Sequence, residues 1–169
     1  MSVEIRTATA ADWPSIWPFF HDIVTARETY TYDPELTEEQ ARAIWMTPSS
    51  SPLSRVTVAV DADGTVLGSA NMYPNKPGPG AHVASASFMV DGAARGRGVG
   101  RALGEDMIAW AGQAGFRSIQ FNAVVETNES AVHLWQSLGF RIIGTVPETF
   151  DHAKLGYVGL HVMYRPLQS

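Results

Sequence analysis

Three glycines at alternate positions, in Arg95-Gly96-Arg97-Gly98-Val99-Gly100-Arg101, most constrain what this chain can fold into. A β-rich stretch, His82 to Val90, precedes them. Beyond them Val99, Leu103, Met107, Trp110, Ala111 and Ala114 recur at intervals of three and four residues. That spacing predicts an amphipathic helix. A glycine turn between strand and helix lets backbone approach a ligand closely. The helix start adds unpaired N–H groups and the positive end of the dipole. Together they predict an anion site suited to phosphate, with Arg95, Arg97 and Arg101 adding charge. The plainer reading is a solvated basic turn. A Walker loop is excluded because Gly100 is followed by Arg101, not by Lys and a hydroxyl residue. A dinucleotide fold wants an acidic residue about 20 positions on, where this chain has Ile119-Gln120-Phe121.

The arginines stand out because the chain is acidic, with a net charge of -5 and a pI of about 5.4. A general nucleic-acid binder usually has a basic domain with pI above about 9. With no cysteine, the chain has no disulfide framework, thiol nucleophile or zinc-thiolate site. The five histidines, at 21, 82, 133, 152 and 161, show no metal-ligand spacing, and no metal is expected. No apolar run approaches the roughly 20 residues of a membrane span. The N-terminus has no basic stretch followed by an apolar one, so no signal peptide is expected. The default is a soluble cytoplasmic protein.

No repeat or linker divides the chain, so residues 1–169 are expected to form one domain. Val3 to Arg6 reads as a strand and Thr9 to Arg27 as a helix, which Pro18 should kink or shorten. Thr37-Glu38-Glu39-Gln40 is a capping box that opens a second helix to about Met46. Arg55 to Val60, a turn at Asp61–Gly64, and Thr65 to Tyr73 form a hairpin. His82 to Val90 is the next strand. Ser118 to Val125, Phe140 to Val146 and Tyr157 to Arg165 are the later ones. Glycines at 115 and 139 close the two helices between them. This order predicts an α/β (α+β) domain, a mixed sheet of about seven strands flanked by about four helices.

Arg95-x-x-Gly98-x-Gly100 after a strand, then Asn128-x-x-Ala131-x-x-Leu134-Trp135-x-x-Leu138-Gly139-Phe140, resembles the GNAT superfamily of N-acetyltransferases over nearly the whole chain. Phe121–Asn128 and His82–Ser85 are similar to a subgroup that includes fungal N-acetyltransferases acting on L-azetidine-2-carboxylate and related proline analogues.

The resemblance implies a cofactor, acetyl-CoA, entering a gap between the strand ending at Val90 and the strand Ser118–Val125. Backbone groups of Phe88, Met89 and Val90 would pair with the pantetheine arm like an added strand. Amides from Gly96, Arg97, Gly98, Val99, Gly100 and Arg101 would hold the pyrophosphate. Asn128 would contact the cofactor or substrate, or else cap the helix it precedes. The implied chemistry is direct attack of an amine on the thioester, with the Val90 N–H steadying the oxyanion. The family's acid is a Tyr where this chain has Trp135. Trp135 is then a packing residue, in the core or against the cofactor, and water, Tyr157 or Tyr164 could replace the acid.

The subgroup match gives Asn122 and Asn128 as holders of a substrate carboxylate, with Ser85 where the subgroup has a further Asn. Strand alternation groups Asn122 with Val124, opposite Phe121, Ala123 and Val125. Tyr30 and Tyr32 are expected in a loop over the acceptor, and His82, Glu28 and Glu126 are weaker proton-handling candidates. The implied function is acetylation of a small amine, an amino acid or analogue. Alternatives are a phosphinothricin-type or other antibiotic-detoxifying acetyltransferase and a non-catalytic acyl-CoA-binding module. Glu28, Asp33 and Glu35 are the only acidic residues of the acceptor segments, which ranks aminoglycosides lower. A homodimer is the family expectation.

Overall fold

The computed structural model describes residues 2–167. Seven strands form one mixed sheet: β1 (Glu4–Thr7), β2 (Arg55–Val60), β3 (Val66–Pro74), β4 (Val83–Val90), β5 (Ser118–Val125), β6 (Arg141–His152) and β7 (Gly156–Pro166). Their order across the sheet is β1-β2-β3-β4-β5-β7-β6. Four α-helices accompany it among the described residues: α1 (Trp13–Ala26), α2 (Glu38–Met46), α3 (Val99–Gln113) and α4 (Glu129–Ser137).

The capping box forms as expected, with Thr37 and Gln40 bonding reciprocally at 3.2 and 3.0 Å. Pro18 does not end α1, which runs on to Ala26. The N–H that Pro18 lacks would have bonded the carbonyl of Pro14 in the helix's first turn, so only one bond near the helix start is lost. β6 runs six residues past Val146. Beyond an irregularity between Val146 and Phe150 it pairs with β7 as far as His152 and Gly156. Nothing local predicts that extension, because Pro147 sits inside it.

Both faces of the sheet are covered. α3 and α4 pack Leu103, Met107 and Trp135 onto Ile119, Phe121 and Met163. On the other face Trp13, Ile16, Phe20 and Trp45 of α1 and α2 pack on Val58 and Met89. β4 divides between them, with Ala84, Ala86, Phe88 and Val90 toward α3 and α4, and Met89 toward α1.

Asp12 ties β1 to the start of α1. Its carboxylate accepts two Arg6 bonds, at 2.8 and 2.9 Å, and the Thr9 N–H at 2.7 Å. The guanidinium first, and then the Thr9 amide, hold its pKa down at about 2 against the opposing effect of burial. A folded-state pKa below the unfolded value stabilises above about pH 4 and is lost as the pH falls. Asp12→Asn should therefore cost about 1–2 kcal/mol in urea unfolding at pH 7. That cost should shrink between about pH 4 and pH 2.

Candidate active site

β4 and β5 are the parallel pair of the sheet, and they pair only at Val83–Ser118 and Ala84–Ile119. Beyond that point they diverge. The Asp91 N–H bonds Leu67 and the Val83 carbonyl accepts from Asn75, both on the β3 side. Alternation along an antiparallel ladder then turns the odd residues' backbone toward β3 and those of Phe88 and Val90 into the gap. Met89 corrects the expectation drawn from the resemblance. Its amide and carbonyl belong to the β3 ladder opposite Ser69, and its side chain is core.

The glycine turn lies at the open end of this gap. Gly96 and Gly98 both have φ of +76°, and a Cβ on either would meet no atom within 4 Å. The first bond of α3 runs from the Ala102 N–H to Gly98, so the amides of Val99, Gly100 and Arg101 precede the helical ladder. The Arg97 N–H is spent on the Ala94 carbonyl at 3.3 Å, so it leaves the expected set. The arginine charges are also partly committed. Arg97 lies 3.7 Å from Asp61, and Arg101 donates to Ser137 at 2.6 Å and to Glu105 at 3.4 Å. Arg95 is exposed and forms no ion pair within 4.0 Å among the described residues. Open space over left-handed glycines beside unladdered amides fits a phosphate group.

Trp135 is buried against Phe88, Phe121 and Phe140, with ring centroids at 4.6, 4.8 and 5.8 Å. Gly104 of α3 makes room for it, since a Cβ there would lie 2.9 Å from the indole. Trp135 is thus a core residue beneath the gap. Asn128 caps α4 through Oδ1, accepting from Ala131 at 3.4 Å and from Ser130 at 3.3 Å.

On the α1 side, Ser85 is buried on β4. The loop after α1 brings Tyr30 and Tyr32 over the same face, with rings stacked at 5.5 Å. Burial raises both pKa values, and Ser87 beside the two phenols acts against that rise. Ser87 was missed, although it shares Ser85's face two residues on. Asn122 sits in a β5 irregularity between Phe121 and Val124. That irregularity breaks the expected alternation and packs Val124 against the α3–α4 core. Asn122 donates to Asn75 at 2.7 Å and accepts from Gln120 at 3.0 Å, a chain of amides in which Asn75 was not anticipated. A cleft of about 250 Å³ is lined by Arg27, Tyr30 and Tyr32 and, from the β6 extension, Thr149, Phe150 and Asp151. A larger hollow of about 780 Å³ lies between β1, α2 and residues 47–54, toward the sheet's β1 edge. It includes no residue of the gap or of the glycine turn.

The weaker candidates are accounted for by other bonds. Glu28 pairs with Lys154 at 2.5 Å, which lowers its pKa and its strength as a base. Glu126 accepts the Gly159 N–H at 2.5 Å. His82 is exposed on the turn before β4, at the paired end of the strands. Tyr157 is exposed and Tyr164 lies under Arg141, whereas the Tyr30 phenol accepts the Phe88 N–H. No helix among the described residues is long and apolar enough to cross a membrane.

Comparison with known proteins identifies the family. The profile of the Acetyltransferase (GNAT) family matches residues 17–140. A GCN5-related N-acetyltransferase from Kribbella flavida is 76% identical, with 97% of each chain covered and a TM-score of 0.94. A phosphinothricin acetyltransferase from Sinorhizobium meliloti, solved with AcCoA, is 26% identical over 98% of this chain and 89% of its own, at a TM-score of 0.83. N-acetyltransferase aca1 of Schizosaccharomyces pombe is 29% identical over 132 residues, 72% of this chain; the chain spans 63% of that protein's length. The chain belongs to the GNAT family of acetyltransferases, whose acyl donor is acetyl-CoA.

Proposed function

We propose that this chain is a cytoplasmic N-acetyltransferase that acetylates the amine of a small acceptor carrying a carboxylate, an amino acid or close analogue, in a ternary complex. The observation that carries the reading is the β4–β5 gap itself. The glycine turn follows the end of β4, the Tyr30 phenol meets the Phe88 backbone, and Asn122 of β5 is bonded to Asn75.

Acetyl-CoA supplies an activated thioester. The chain's part is to bind and orient. The amides of Gly96, Gly98, Val99, Gly100 and Arg101 hold the pyrophosphate, and Phe88 and Val90 offer backbone groups to the pantetheine arm. The Val90 N–H, turned into the gap, would supply the hydrogen bond that steadies negative charge on the thioester oxygen. Asn128 keeps Nδ2 for a ligand while Oδ1 caps α4. Asn122, with Asn75 behind it, and Ser85 on β4 offer uncharged donors to a carboxylate. Tyr30 and Tyr32 wall the acceptor cleft. No general acid is assigned to Trp135, since an indole transfers no proton.

A panel of amino acids and analogues, assayed for release of free CoA, tests the substrate class. Asn122→Ala should raise the acceptor KM about tenfold and leave acetyl-CoA affinity within about twofold, the effect of one lost polar contact. Equal loss on both sides contradicts the role. Phosphinothricin belongs in the panel, because the Sinorhizobium enzyme matches nearly the full chain. Turnover of phosphinothricin and of no amino acid of the proteins would favour that reading. The sheet's outer strand β6 exposes Ile143 and Val146, and a homodimer through that edge is part of the proposal, measurable by sedimentation.

A further inference from the structure

The acceptor loop reaches the gap through Tyr30. The Tyr30 hydroxyl accepts the Phe88 N–H at 2.8 Å and donates to the Phe88 carbonyl. These are the two groups through which β4 would pair with a further strand, and no β5 residue pairs with Phe88. Tyr30 is well supported in that position. Its ring stacks on Tyr32, and Tyr32 stacks on Phe20 of α1 at 5.8 Å. The start of the loop is fastened to the β6–β7 hairpin. Arg27 bonds Asp151 at 2.6 Å, its carbonyl accepts the Ala153 N–H at 3.0 Å, and Glu28 meets Lys154. Burial keeps the phenol neutral well above its ordinary ionisation range, so it remains a donor at working pH.

We propose that Tyr30 is a latch joining the donor gap to the acceptor cleft: in the ligand-free protein its hydroxyl holds the Phe88 backbone pair, and donor entry must release it. The inference rests on the reading of the gap as the donor site. An extended amide chain pairing with β4 needs the same N–H and C=O, and one pair cannot serve both partners. The ring of Tyr30 also lines the acceptor cleft, so releasing the latch moves a wall of that cleft. Donor occupancy then changes acceptor affinity. By linkage, an acceptor that holds Tyr30 away from β4 tightens donor binding by the same factor.

Tyr30→Phe removes the hydroxyl and keeps the stacked ring. The donor then has no hydrogen bonds to displace, so acetyl-CoA should bind Tyr30→Phe about five- to tenfold more tightly than wild type. An unchanged or weaker Kd in Tyr30→Phe, with wild-type binding intact, overturns the latch and leaves the donor reading standing. Failure of acetyl-CoA to bind either protein removes the donor reading, and the latch with it. A second readout needs no variant. In the free protein the Phe88 amide should exchange with deuterium at least tenfold more slowly than the Val90 amide, although both face the gap. Equal exchange rates would also overturn the proposal.

Discussion

Replacing Gly98 with valine should abolish acetyl-CoA binding, with a loss of more than about 100-fold, while the domain stays folded. The effect divides into a small strain and a large block. At φ +76° a β-branched residue is strained by roughly 1–2 kcal/mol, which a domain of this size survives. The block is steric. The isopropyl group would fill the open space over the turn and hold a phosphate away from the amides of Val99, Gly100 and Arg101. Gly64 in the β2–β3 turn is the control. It has φ +81° and equally open space around a Cβ, but it lies in a turn to which no role is assigned. Gly64→Val should lower the melting temperature about as much and leave acetyl-CoA affinity unchanged. Equal binding by wild type and Gly98→Val, measured calorimetrically, would make Arg95–Arg101 only a basic turn.

Trp135→Ala should be the most destabilising single change near the site. It empties a buried indole volume among Phe88, Phe121 and Phe140, and buried aromatic-to-alanine changes cost about 3–5 kcal/mol. For a chain of this length that corresponds to a fall in Tm of roughly 10 °C or more. Trp135→Phe should recover much of the loss, because a ring of similar shape refills the notch left by Gly104. If Trp135 served the chemistry instead, Trp135→Phe would lose turnover while keeping its melting temperature.

Legibility in the sequence followed the range of the physics. Elements set by local patterns were readable. The Thr37 capping box, the three- and four-residue repeat from Val99, and the glycines at 115 and 139 each act over a few residues, and the elements they mark lie where expected. The strand divergence was reached through resemblance, and the backbone register then corrected it at Met89, whose amide the β3 ladder uses. What stayed hidden depends on contacts distant in sequence. Arg97 reads as ligand charge, but Asp61, from another turn, lies 3.7 Å from it. Asn122 was legible as an amide, whereas its partner Asn75 lies 47 positions away. The β6 extension walls the cleft because β7 pairs with it across Pro147. Tyr30 was expected over the acceptor, but its grip on Phe88 spans 58 positions and leaves no local pattern.

Calorimetric titration of the purified protein with acetyl-CoA tests the central claim most directly. Micromolar binding at about one site per chain, lost in Gly98→Val and kept in Gly64→Val, is the predicted result. No heat of binding in the wild-type protein would contradict the account at its base, because the gap beside the glycine turn would then hold no donor.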